Sequence, residues 1–118
     1  MPHRDPTRLK HMLDASKKAV AFTQNRKRSD LNSDEVLALA IIRLLEIIGE
    51  AAKAVSTELK VQYPKIPWRQ IAGTRDRLIH GYFNVDMDIV WTIVTKDLPD
   101  LIQNLEKIPH TNNFQEEK

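Results

Sequence analysis

The chain has 118 residues, of which 42% are hydrophobic and 29% charged, with a formal net charge of +2. This size and composition are typical of one soluble globular domain. The absence of cysteine excludes disulfides, thiolate nucleophiles and cysteine-ligated metals, and three widely separated glycines exclude a glycine-rich phosphate loop. A polar N-terminal segment and short apolar runs predict a cytoplasmic protein without a secretory signal or membrane span.

The first predicted helix extends from Asp5 to Gln24, with Asp5 as its N-cap and Pro6 at its first position. A polar connection follows over residues 25–32. The first thirty residues carry eight Lys or Arg and three Asp or Glu. This excess predicts either a surface for a polyanion such as RNA or simply a solvated helix face.

The second predicted helix extends from Ser33, its expected N-cap, to about Lys60. Nearly all residues from Val36 to Val55 are apolar. The exceptions form one narrow stripe: Arg43, Glu46, Glu50 and Lys53. A helix that is apolar around most of its circumference must be buried on most sides. The pattern therefore favours a homodimer that packs through this helix.

Two prolines within residues 63–67 end the second helix. A third helix is predicted from Trp68 to His80, with Gly81 as the left-handed residue that follows it. Asp86 is expected to cap a fourth helix that continues to about residue 108, with a kink or a short restart near Pro99. No strand is predicted. The sequence thus predicts an all-α, antiparallel four-helix bundle over residues 1–108 and a flexible tail over residues 109–118.

Arg75 interrupts the apolar stripe expected on the third helix. An arginine at such a position must be paired, must extend to solvent, or must line a cleft. One interpretation is a buried ion pair with Glu46 or Glu50 of the second helix. The other is a cleft-lining residue that binds an anion.

His80 lies five residues after Arg75, about 140° further around an ideal helix. The two side chains can therefore act together only at a turn or across two subunits. Asp76 is four residues before His80 and favours the protonated imidazole, which suits a general acid or base. A merely capping histidine is the alternative.

Two guanidinium groups, an imidazole and a phenol within eight residues suit a phosphate site, and they belong to Arg75, Arg77, His80 and Tyr82. The four histidines of the chain are scattered, so no metal site and no cofactor are expected.

These residues closely resemble the HepT-like branch of the HEPN superfamily. The defining pattern, an Arg and a His with four to six residues between them, is present as Arg75 to His80, and the His-x-Tyr extension is present as His80-Gly81-Tyr82. The preceding segment, residues 67–73, is also similar. Asp76 departs from the pattern because the family usually has Asn there.

The resemblance implies a metal-independent endoribonuclease, the toxin of a type VII toxin–antitoxin system, in which two subunits form a shared cleft. Arg75 and His80 would be catalytic, with Asp76 in support, and the RNA 2′-hydroxyl would attack the neighbouring phosphate. Arg69 and Arg77 would contact RNA phosphates. The implied partner is a minimal nucleotidyltransferase (MNT) antitoxin that neutralises the toxin by AMPylation of Tyr82.

Two other interpretations remain open at the level of sequence. The chain could be a non-catalytic HEPN dimer that acts as the binding or regulatory subunit of a nucleotidyltransferase, because a carboxylate at Asp76 could weaken anion binding. It could also be a structural helical dimer that binds no nucleic acid.

Overall fold

The computed structural model describes residues 4–80 and 84–109, with only the backbone described at Ile79 and His80. Within these residues the chain is mostly helical, as predicted, and its buried hydrophobic side chains form one continuous core. No helix of this part is long and apolar enough to cross a membrane. The helices and strands, in chain order, are α1 (Asp5–Phe22), α2 (Asp30–Ser33), α3 (Glu35–Ala54), α4 (Thr57–Gln62), α5 (Trp68–Ala72), α6 (Thr74–Leu78), β1 (Ile79–His80), β2 (Asn84–Val85), α7 (Met87–Thr92), a π-helical turn (Ile93–Asp97) and α8 (Leu98–Glu106).

Helix α1 packs against α3 and α8, and side chains at helical spacing, such as Leu9, Met12 and Leu13, are buried in the core. The prediction that Asp5 caps this helix is wrong. Asp5 is the first helical residue, and its carboxylate is buried. That carboxylate accepts hydrogen bonds from the backbone N–H of Ser56, at 3.0 Å, and from the Ser56 hydroxyl, at 2.5 Å.

The long second helix of the prediction is divided. It begins after Asp34, which accepts a hydrogen bond from the Leu37 N–H at 3.1 Å, so Asp34 rather than Ser33 is the cap. It ends at Ala54, and α4 restarts after Ser56, whose hydroxyl accepts from the Leu59 N–H at 3.1 Å. The break occurs because Ser56 serves as a cap, and capping holds its backbone extended.

The connection predicted after α1 contains a tight turn and the short helix α2. Asn25 adopts a left-handed backbone conformation, with φ of 61°, which asparagine tolerates better than most residues. Arg26 then donates to Asp30 at 3.3 Å and to Asp34 at 2.8 Å. These contacts join the end of α1 to the beginnings of α2 and α3.

The predicted third helix, Trp68 to His80, is also wrong in its second half. It breaks at Gly73 and ends at Leu78, after which β1 pairs antiparallel with β2, with Ile79 opposite Val85. His80 is therefore an extended residue and not the last residue of a helix. Glycine is a poor helix former, and the ladder between β1 and β2 satisfies backbone groups that a longer helix would use. The predicted left-handed Gly81 lies outside the described residues.

The C-terminal segment begins as predicted. The Asp86 carboxylate accepts hydrogen bonds from the N–H groups of Asp88, at 3.0 Å, and Ile89, at 3.1 Å, and thereby caps α7. A π-helical turn then precedes α8, and Pro99 lies in the first turn of α8, where a missing N–H is tolerated. Of the predicted tail only Pro109 is described, and residues 110–118 lie outside the described part.

Candidate functional site: two clefts beside helix α6

Arg75 is exposed on α6, so it does not belong to the buried stripe of this segment. The buried side chains of α6 are Thr74 and Leu78. The break at Gly73 changes the helical phase, and Arg75 moves out of the core as a result. Arg75 and its neighbour Asp76 line a cleft of about 240 Å³ between α3 and α6, together with Glu46, Gly49, Glu50, Lys53 and Ala72.

The buried ion pair considered for Arg75 is not present. Glu46 and Glu50 both lie near Arg43, with nitrogen–oxygen distances of 3.7 and 3.6 Å. Arg75 makes no salt bridge to any carboxylate in the part of the chain that the structure describes. Its guanidinium is therefore available to an anionic ligand, as the cleft-lining interpretation requires.

The Arg75 cleft is not basic within one chain. Three carboxylates line it, those of Glu46, Glu50 and Asp76, against two cations, Lys53 and Arg75. Sequence reasoning placed Lys53 only in the polar stripe of the second helix and missed it as a cleft residue. Its spacing from Glu46 and Glu50 is the signal that would have found it, because residues three, four and seven apart share one helix face.

The expected contact between Asp76 and the His80 imidazole depended on one continuous helix. Asp76 is exposed on α6, whereas the His80 backbone is in β1, paired with Asn84. The helical i, i+4 relation therefore does not hold for this pair. The His80 side chain and the whole of Tyr82 lie outside the described part, so their predicted roles stay predictions.

Arg77 lies on the other flank of α6 from Arg75, because two residues along a helix amount to a rotation of about 200°. It lines a second, larger cleft of about 410 Å³. There its guanidinium lies 4.0 Å from the Asp97 carboxylate, and both side chains are partly exposed. Arg69 is exposed on α5. The predicted RNA-binding arginines are thus distributed around α5 and α6 rather than gathered in one cleft.

Gly49 allows α3 to approach the junction of α5 and α6 closely. A Cβ atom at this position would lie 3.1 Å from the carbonyl oxygen of Ile71. The buried Thr74 secures the same carbonyl, because its hydroxyl donates to Ile71 O at 2.7 Å. The buried Trp68 donates from its indole N–H to Tyr63 O at 3.0 Å, which fixes the loop before α5. These contacts position Arg75, and sequence reasoning gave Gly49 and Thr74 no such role.

Half of the eight Lys and Arg of residues 1–30 form salt bridges within the described part of the chain. Lys17 pairs with Glu106 at 3.1 Å, and Arg28 pairs with Asp88 at 2.7 Å. The Arg26 guanidinium lies against Asp34 and, together with the Leu37 N–H, lowers the pKa of that carboxyl. The distribution of charge therefore favours the solvated and ion-paired interpretation of residues 1–30 over a polyanion surface.

The family model for HepT-like ribonucleases matches residues 12–108, which include α6 and both of its clefts. The chain belongs to the HepT-like ribonuclease family. It is 40% identical over 100 residues to "Probable ribonuclease HepT" of Thermococcus cleftensis, a match that covers 85% of this chain and 91% of that protein. It is 38% identical over 100 residues to "Putative RNase TTE0752" of Caldanaerobacter subterraneus subsp. tengcongensis, covering 85% and 89% of the two chains.

A third relative, "Putative RNase MJ1216" of Methanocaldococcus jannaschii, is 36% identical over 109 residues, which is 92% of this chain and 90% of the relative. No solved structure matches the chain. The resemblance stated from the sequence is thereby confirmed at the level of the HepT-like family, and family membership supports ribonuclease activity.

Proposed function

We propose that this HepT-like protein is a metal-independent endoribonuclease and the toxin of a type VII toxin–antitoxin system. The observation that carries the proposal is Arg75, which is exposed, unpaired within the described residues and open to solvent in the cleft between α3 and α6. An unpaired guanidinium binds a phosphate through two parallel hydrogen bonds.

The proposed reaction is an internal transfer at phosphorus. The RNA 2′-oxygen bonds to the adjacent phosphorus atom, and the bond from phosphorus to the 5′-oxygen of the next nucleotide breaks. The 2′-hydroxyl proton passes to a base, and the leaving oxygen takes a proton from an acid. His80 fills one of these roles, and Arg75 stabilises the negative charge of the transition state. The products are a 2′,3′-cyclic phosphate and a 5′-hydroxyl.

The proposed enzyme is a homodimer that packs through α3. Val36 and Leu39 are 79% and 61% exposed on the outer face of this helix, and Ile42 and Ile47 beside them are only partly covered. A second copy that covers this apolar surface would also bring additional groups to the cleft at the far end of the same face. Cations contributed in this way would offset the acidic excess of Glu46, Glu50 and Asp76.

The proposed partner is a nucleotidyltransferase antitoxin of the MNT type, which transfers AMP to the Tyr82 hydroxyl. A bulky anionic group added to the motif in this way would repel RNA. The variant Tyr82→Phe should therefore keep cleavage and resist the partner in the presence of ATP. Neutralisation of this variant with transfer of AMP would show that Tyr82 is not the target.

The acidic lining of the Arg75 cleft favours a second candidate, the non-catalytic binding or regulatory subunit of a nucleotidyltransferase. Three carboxylates close to one unpaired arginine weaken the attraction for a phosphate diester. In this alternative the protein binds its partner through α3 and α6 but cleaves no RNA.

Cleavage of total cellular RNA in EDTA tests the proposal. Wild-type protein, shown by intact mass to carry no AMP, is compared with the variants Arg75→Ala and His80→Ala. The matched control is Arg4→Ala, because Arg4 is an exposed arginine just before α1. Wild type and the control should produce 2′,3′-cyclic phosphate ends, and the two motif variants should not. No cleavage by unmodified wild type would favour the non-catalytic alternative, and full cleavage by His80→Ala would exclude the role given to that residue.

A further inference from the structure

The second cleft, of about 410 Å³, lies between α3, α5, α6, the π-helical turn and α8. Its floor is made of buried apolar side chains, among them Leu45, Ile48, Leu98 and Leu101. Its volume and apolar floor are typical of a small-molecule site. The rim, by contrast, is polar.

The rim carries two kinds of hydrogen-bonding group on α8 and the turn before it. Asp97 and Asp100 supply carboxylates that only accept hydrogen bonds, and Asn104 supplies an amide that both donates and accepts. Asp100 is exposed and Asn104 is half-buried, so both can meet a ligand. Asp97 is exposed as well, but it lies 4.0 Å from the Arg77 guanidinium. A ligand that fits this cleft has a flat apolar face that packs on the floor and an edge with hydrogen-bond donors that meets the rim.

A phosphate beside α8 would lie against the carboxylate of Asp100. The cations of the cleft are Arg77, whose guanidinium lies 4.0 Å from the Asp97 carboxylate, and Lys65, in the loop before α5. Asp100 and Asn104 of α8 therefore offer a place for hydrogen-bond donors, and Lys65, on a different segment, offers a cation for a phosphate. A nucleotide unit has the same division, with phosphate on one side and base on the other.

We propose that this cleft binds one unpaired nucleobase of the RNA substrate and selects bases that carry an exocyclic amino group. Carboxylates accept from the cytosine amino group, and asparagine pairs with the adenine edge. Uracil has no amino group and would place a carbonyl oxygen against a carboxylate. The proposal rests on the proposed ribonuclease function and adds to it the feature of RNA that is recognised.

The position of the cleft agrees with this role. Arg75 and Arg77 are two residues apart, which limits their Cα separation to about 7 Å, yet they line different clefts. An RNA strand that crosses α6 can thus hold one phosphate at Arg75 while a neighbouring base enters the second cleft. Single-stranded RNA is the form that permits this, since its bases are free to turn outward.

Binding of short RNA tests the base site independently of cleavage. Fluorescein-labelled hexamers of cytidine and of uridine, which differ mainly at the amino and carbonyl groups of the base edge, are titrated into His80→Ala protein and followed by anisotropy. The cytidine hexamer should bind at least about fivefold more tightly. When Asn104→Leu or Asp100→Asn is added to the His80→Ala protein, the preference for the cytidine hexamer should fall to about twofold or less.

Matched controls are available on α4. Gln62→Leu and Glu58→Gln make the same chemical changes at exposed positions that do not line either cleft beside α6, and they should leave the preference unchanged. Circular dichroism and thermal unfolding verify that each variant is folded. Equal binding of the two hexamers by the reference protein, or a preference that survives both cleft variants, overturns the base site.

A parallel cleavage assay, with the same changes in an otherwise wild-type background, separates the two proposals. If RNA is cut and the bases flanking the cuts are the same for wild type and Asn104→Leu, the base site is wrong and the ribonuclease function stands. If no RNA is cut but the cytidine preference is present and depends on Asn104, the ribonuclease function is wrong and the base site stands. If no RNA is cut and no cytidine preference is found, both the ribonuclease function and the base site are wrong.

Discussion

Arg26 and Arg75 lie in regions that surround the same type of side chain in opposite ways. The Arg26 guanidinium has two carboxylates beside it, Asp30 and Asp34, and it links the turn after α1 to the beginnings of α2 and α3. Arg75 also has carboxylates in its cleft, but Glu46 and Glu50 lie near Arg43 instead and leave it unpaired within the described residues. A count of charges along the sequence would make the Arg26 region the RNA surface. The pairing of those charges makes the Arg75 region the better candidate.

The largest expected effect is the difference in RNA cleavage between two single variants, Arg75→Ala and Arg26→Ala. Arg75→Ala should reduce RNA cleavage at least about a hundredfold, the size of effect seen when a transition-state donor is removed, and should leave the melting temperature unchanged. Arg26→Ala should lower the melting temperature and keep cleavage. Initial rates on a labelled RNA and thermal unfolding of both variants check this. A loss of cleavage in Arg26→Ala, with the protein still folded, would contradict the division of roles.

Gly49→Ala should move the Arg75 cleft without unfolding the protein. The added Cβ would lie 3.1 Å from Ile71 O, so the α5–α6 junction must shift. Overpacking costs about 1–3 kcal/mol, which the higher helix propensity of alanine offsets by about 1 kcal/mol. Cleavage should fall by about tenfold to a hundredfold, because small displacements of a catalytic group are costly.

The control for Gly49→Ala is Ala54→Gly, an exposed position of α3 that lines neither cleft beside α6 and where the change affects helix propensity alone. Urea unfolding and cleavage rates are measured for both. Cleavage at the wild-type rate by Gly49→Ala would show that the close approach of α3 does not position Arg75.

Two buried threonines provide a smaller test of the same idea. Thr74 donates to Ile71 O at 2.7 Å beside the cleft, whereas Thr23 donates to Ala19 O at 3.1 Å at the end of α1. Replacing either by valine keeps the shape and should reduce the free energy of unfolding by about 1 kcal/mol. Only Thr74→Val should also slow cleavage, by a fewfold. Equal cleavage rates for Thr74→Val and Thr23→Val would show that the Thr74 hydroxyl does not position the site.

The smallest effect concerns pH. Arg26 and the Leu37 N–H lower the pKa of Asp34 in the folded state, so the stability that this carboxylate contributes is fully present above its ordinary value of about 3.9 and is lost as the pH falls through the folded value. The Asp34→Asn variant should thus have a lower melting temperature than wild type at pH 7, and the difference between the two melting temperatures should shrink below about pH 4. The exposed Glu58→Gln serves as the control. A difference that is constant with pH would contradict the ion pair.

Local signals in the sequence were enough for some elements of the fold. Asp86 was predicted as a cap and is one, because its hydrogen bonds reach only two and three residues along the chain. The start of α5 at Trp68 follows from the prolines before it. Family membership was also readable, since the Arg75-to-His80 pattern and its flanking residues are contiguous.

Tertiary contacts decided the elements that the sequence did not predict. The break before α4 involves Ser56 and a carboxylate 51 residues away, that of Asp5. The exposure of Arg75 depends on the break at Gly73, and the extended backbone of His80 depends on its pairing with Asn84. No periodicity within α3 indicates that Gly49 faces Ile71 O. Candidate site residues could thus be named from the sequence, but their surroundings could not.

The contact between Asp5 and Ser56 has a consequence for how the chain is made. The first turn of α1 is translated before Ser56, so its buried carboxylate lacks the hydrogen bonds from Ser56 until the residues around Ser56 have been synthesised. Translation proceeds at about 5–20 residues per second, so this turn waits for seconds with its polar group in water. Helix α1 is therefore translated before α3, and its beginning is completed only after α3 has joined it.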